Sequence, residues 1–186
     1  MQVKNLAELA VNFDLESDLL MALESISEAL LKVKGGNHSY LKWAVIFGHT
    51  ALQSAMCLSL ITSASFLVRK RTSYKNNYGE LDNIEWLYQK LQSTDLLPYV
   101  DSKVIPKNAL ELKQIKHLQT IRNTFIHQQP ALYVYTFEEL IESIGLTVKL
   151  TRFLVSSSER MALGASITKV TLEQKLGVLE SQLTSC

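Results

Sequence analysis

Glycine and proline are scarce in this 186-residue chain, at 7 and 3 residues. With so few breakers, long helices are expected. Cysteine is scarcer still. Cys57 sits inside an apolar run and Cys186 at the last position, which makes neither a disulfide framework nor zinc-ligand spacing and suits a reducing cytoplasm. An excess of one charge is also lacking: 19 Lys and Arg against 18 Asp and Glu leave a formal net charge of +1, so any affinity for nucleic acid must come from local patches. There is no phosphate-cradling glycine loop, dinucleotide fingerprint, His-Glu-x-x-His or serine elbow. These absences remove most common enzyme classes and leave no cofactor or metal to expect. The first residues carry no apolar core followed by a small-residue cleavage site, so no export signal is expected.

Apolar residues make up 47% of the chain and charged residues 20%, which fits one self-sufficient domain over residues 1–186. Residues 43–68 contain no formally charged side chain over 26 positions, long enough to cross a bilayer. His49, Gln53 and scattered Ser and Thr interrupt that run, and no comparable segment accompanies it. The central helix of a bundle, with no membrane partner, is the expected reading.

The pattern predicts an all-α bundle of about five helices with a C-terminal helical tail. The first helix covers about 14–34, with Leu15, Leu19, Leu23, Ile26 and Leu30 on one face, and ends at Gly35-Gly36. The uncharged helix follows, opened by Asn37 or Ser39 and running to about Arg69-Lys70-Arg71. A polar loop over 72–81 leads to a short helix capped by Asp82 with Glu85. Asn108 with Glu111 and Thr136 with Glu139 repeat that capping pattern for two more helices, the last with Tyr135 and Leu140 placed as a hydrophobic staple. Only Leu132-Tyr133-Val134-Tyr135 is ambiguous with a strand. In the tail, 165–186, Leu172, Leu176, Leu179 and Leu183 form a short heptad-like stripe. It either folds back on the bundle or meets a second subunit.

The most informative stretch is Arg122-Asn123-Thr124-Phe125-Ile126-His127, closed off by Pro130. At ~100° per residue, Ile115, Leu118, Ile121, Phe125 and Ile126 gather on one side of the helix and Arg122 falls near the middle of it. A guanidinium there needs a carboxylate, a carbonyl cluster, a subunit interface or an anionic ligand. His127 lies one turn below Asn123. Arg122 and His127 differ by ~140° on an unbroken helix, so one copy cannot easily aim both at one phosphate. Either Pro130 loosens the last turn, or two copies of the helix meet in a symmetric dimer, which is the expectation adopted here.

Arg122, a polar Asn123 and His127 near the end of a penultimate bundle helix resemble the Arg-polar-x-x-x-His signature of the HEPN superfamily. The resemblance covers these six residues strictly and the helical layout of about 14–160 loosely. It implies a dimeric helical bundle acting as a metal-independent ribonuclease of a toxin–antitoxin or antiphage defence system, with an antitoxin or a nucleotidyltransferase-like protein as partner. His127 would move protons between the ribose 2′-hydroxyl and the leaving 5′-oxygen, Arg122 would stabilise phosphate charge, and Asn123 would orient the phosphate or hold Arg122. The alternative is a non-catalytic interaction or nucleotide-binding module in which these residues fix one helix against another.

Arg69, Lys70, Arg71, Tyr74 and Lys75 mix cations and an aromatic ring as an RNA grip would, or else complement a helix C-terminus. His49 and Gln53, one turn apart, are either a polar site facing Arg122 or a satisfied feature inside the bundle. His38 and His117 have no partner at metal-ligand spacing.

Overall fold

The computed structural model describes residues 14–61, 66–70, 80–99, 103–127, 133–158, 161, 163 and 167–186. They form an all-α bundle of six helices: α1 (Leu15–Lys34), α2 (Leu41–Leu60), α3 (Ile84–Leu91), α4 (Ala109–Ile126), α5 (Phe137–Ser157) and α6 (Lys169–Leu183). Among the described residues, strand-type pairing is confined to one isolated antiparallel bridge, Arg69 with Leu81.

α1 starts where the sequence places it. Asp14 Oδ1 accepts from the Ser17 N–H at 2.7 Å, and Glu16 and Asp18 favour the positive end of the helix dipole. Its buried stripe of Leu19, Leu23, Ile26 and Leu30 faces the core, and Gly36, at a φ of 91°, makes the turn that follows.

α2 is the hub, packed by α1, α3, α4 and α5. That surround explains the absence of charge after Lys42, because most side chains from Ala44 to Leu60 are buried or partly buried among other helices. Within the stretch His38–Leu60, long and apolar enough to span a bilayer by composition, 72% of the most apolar window is buried in the bundle. At Gly48 a Cβ would lie 2.9 Å from Thr147 Oγ1, so α2 and α5 approach as closely as only glycine allows. The helix does not reach the basic run as expected. It ends at Leu60, where Ile61 turns extended (ψ 122°), and its start has a 3₁₀ turn (His38–Tyr40) with no side-chain cap.

The third helix also departs from expectation. Its cap is Asn83, accepting from the Trp86 N–H at 3.0 Å, because Asp82 is buried and committed elsewhere, paired with Lys90. The Lys90 ammonium also reaches the carbonyls of Leu67 (2.7 Å) and Arg69 (3.3 Å), tying the connection before α3 to that helix. Asn108 Oδ1 caps α4, accepting from the Leu110 and Glu111 N–H groups, while the Glu111 carboxylate accepts from Tyr88 and Lys149. Thr136 and Glu139 make the full reciprocal box at the start of α5. α6 lies on α1 and α5 of its own chain, burying Leu172, Leu176 and Leu179, with Lys175–Glu24 at 2.7 Å and Arg152–Glu180 along the seam. Tyr133 and Val134 belong to no strand; Leu132 and Pro130 lie outside the described residues.

Candidate functional site

α4 carries the candidate residues on a helix whose inner face is set by Ile115, Leu118 and Ile121, all wholly buried. Phe125 continues that face, half-buried, with its ring edge-on to Tyr135 at 5.4 Å. Ile126 does not: it is 41% exposed, because the apolar side has rotated away from the bundle by the end of the helix.

Arg122 is half-buried on the same side. Its Nη1 donates to Asn123 Oδ1 at 3.1 Å, while Nε is buried with no acceptor. No carboxylate pairs with it among the described residues. Asn123 also meets His127, since its carbonyl accepts the His127 backbone N–H at 2.9 Å. His127 caps the C-terminus of α4 and is exposed, with its imidazole free of hydrogen bonds to the described residues. The Asn123 side chain therefore touches the guanidinium but not the imidazole, and Arg122 and His127 do not touch each other.

Behind Arg122, α2 contributes His49, 3% exposed, 3.4 Å from Gln119 Oε1. An amide oxygen only accepts, so the ring donates from Nε2. Burial pushes the His49 pKa down to about 4; the Gln119 hydrogen bond opposes this and the Arg122 charge adds to it. The ring is thus neutral near pH 7 and within electrostatic reach of the guanidinium. Gln53 is not part of this layer, since its amide donates to the Asp82 carbonyl at 3.3 Å.

Of the expected RNA-contacting residues, Arg71, Tyr74 and Lys75 lie outside the described residues. Arg69 bridges to Leu81, and Lys70 pairs with Glu80. His38 packs its ring on Phe137 at 5.3 Å, and His117 Nε2 lies 2.6 Å from Glu139 Oε1. Burial, with the nearby Asp82 carboxylate, pushes the Cys57 thiol up to about 12, leaving it un-ionised and unreactive near neutrality. Among the described residues no group of three or more His, Cys, Asp or Glu could hold a metal ion.

Sequence reasoning missed the buried Glu111. Its carboxylate accepts from Tyr88 Oη at 2.9 Å and from Lys149 Nζ at 2.6 Å. A signal was present: Glu111 precedes Ile115 and Leu118 at core spacing on α4. Two surface clefts among the described residues lie away from the triad. One of about 630 Å³ beside α6 is lined by Lys34, Gln174 and Gln182, and one of about 400 Å³ between α1 and α2 by Tyr40, Trp43 and Phe47. Comparison with protein-family models, with curated proteins and with solved structures finds no match to this chain.

Proposed function

We propose that the chain is a metal-independent RNA endonuclease of the HEPN type, working in the cytoplasm as a homodimer and serving a toxin–antitoxin or antiphage system. The observation that carries this reading is Arg122: a half-buried guanidinium, steadied by Asn123 and matched by no carboxylate among the described residues. A charge kept in that condition suits an anionic ligand, and a phosphate diester is the anion that a planar fork of donors fits best.

His127 supplies the proton chemistry. Its exposed imidazole takes the proton of a ribose 2′-hydroxyl as the 2′-oxygen bonds to phosphorus. The bond to the 5′-oxygen breaks, and a proton is returned to that oxygen, leaving a 2′,3′-cyclic phosphate and a 5′-hydroxyl. Arg122 stabilises charge on the non-bridging oxygens throughout. Within one chain Arg122 and His127 are splayed by ~140° about α4. A second copy at the exposed end of that helix, where Ile126 and Val134 leave apolar surface uncovered, supports a cleft shared by both chains.

The test is cleavage of mixed-sequence RNA in EDTA by the wild type and by folded His127→Ala and Arg122→Ala variants. Loss of about 100-fold or more in both is expected. Equal cleavage by all three proteins would assign the activity elsewhere. A second reading, a non-catalytic interaction or nucleotide-binding module, for example a partner of a nucleotidyltransferase-like protein, is favoured by one contact: the Arg122–Asn123 hydrogen bond keeps the guanidinium on its own helix. Nucleotide binding without cleavage by the wild type would favour it.

A further inference from the structure

The polar layer behind Arg122 has a role that the triad alone leaves unfilled. Gln119 and Arg122 are three residues apart on α4, so they lie one above the other on the same face. His49 meets Gln119 at 3.4 Å from the opposite helix, and the Arg122 charge acts on the same ring. Asn123 steadies one corner of the guanidinium at Nη1, and the buried Nε has no acceptor. Among the described residues, Asn123 therefore makes the one hydrogen bond that α4 gives the guanidinium. Across from α4, close packing of Gly48 on Thr147 fixes α2 against α5 next to His49.

We propose that His49 and Gln119 are positioning residues for Arg122: the imidazole, held by Gln119, forms the inner wall of the anion site and turns the free guanidinium donors toward a phosphate group at the surface of α4. This rests on the reading of Arg122 as a phosphate-binding residue. A cationic group at position 49 would repel the guanidinium, and an apolar one would leave Gln119 without its partner. A neutral amide can replace the imidazole.

The experiment uses the ¹⁵N-labelled full-length protein and the Arg122 Nε–Hε cross-peak, identified by its loss in Arg122→Lys. It is read in the wild type, His49→Gln, His49→Leu and Gln119→Leu, alone and titrated with inorganic phosphate, beside RNA cleavage in EDTA. His49→Leu and Gln119→Leu are expected to move the peak and weaken phosphate binding by about fivefold or more, while His49→Gln stays within about twofold of wild type. Cleavage should follow the same order with the melting temperature of His49→Leu unlowered, which a merely structural role for His49 would not produce; Gln119→Leu, which leaves the buried His49 N–H unpaired, is expected to melt lower. A peak and a phosphate affinity unchanged in both leucine variants would overturn the proposal. A wild type that cleaves no RNA, with the peak moved by His49→Leu and restored by His49→Gln, would remove the nuclease reading and leave the positioning role standing.

Discussion

Glu111 and Arg122 stand on one stripe of α4, roughly three turns apart, and the bundle treats them in opposite ways. Glu111 is buried with a phenol and an ammonium bonded to it. Burial pushes its carboxyl up, but the hydrogen bonds from Lys149 and Tyr88 more than offset that, so it sits below the ordinary glutamate range. Arg122, nearer the end of the helix, has a neighbouring amide and an unmatched Nε. A charge that the architecture requires is matched within the chain. One left unmatched among the described residues, in the second half of the helix, is suited to a counter-charge arriving from outside.

The sharpest way to break this contrast is to remove each charge in turn. Glu111→Ala should cost about 2–4 kcal/mol, because Tyr88 Oη is left buried without its acceptor. Arg122→Met should change stability by no more than about 1 kcal/mol, since it removes a partly buried charge that no carboxylate among the described residues compensates. Denaturant midpoints of the two variants read this directly. Equal losses would mean that Arg122 is as architectural as Glu111.

A smaller effect sharpens the contrast through pH. His49 has its pKa lowered from 6.5 to about 4 in the folded chain by burial, so the unfolded chain binds the proton first. Its contribution to stability is complete above pH 6.5 and is lost as pH falls toward 4, by about 3 kcal/mol in all. Glu111, also lowered, acts in the same direction but below its ordinary value of 4.5. Stability measured between pH 7 and 4 should therefore slope downward in the wild type and flatten in His49→Gln, while an unchanged slope would remove the buried neutral imidazole from the account.

Much of the fold was legible because capping and periodicity are local. Asp14, Asn108, Thr136 with Glu139 and the core stripe of α1 lie where their spacing indicates. The features that were not legible depend on contacts distant in sequence. Asp82 and Asn83 are equally good caps on paper, and only the lysine that meets Asp82 after folding decides between them. The uncharged run looks like one helix to the basic residues, yet its last part is drawn off toward α3 by the Arg69–Leu81 bridge. For the site, the inward placement of Arg122 followed from the ~100° step of the helix. Its Gln119 neighbour did not, and spacing left two readings open for His49 and Gln53: His49 meets Gln119 on α4, while Gln53, one turn on, faces Asp82.

The most direct test of Arg122 as a charge kept for an RNA phosphate is thermal unfolding with and without a mixed-sequence 2′-O-methyl oligoribonucleotide, which binds but has no free 2′-hydroxyl to react. Ligand that binds only the folded chain raises its melting temperature with concentration. The wild type should show that rise and Arg122→Met should not. The same rise in both proteins, or none in either, would contradict the account.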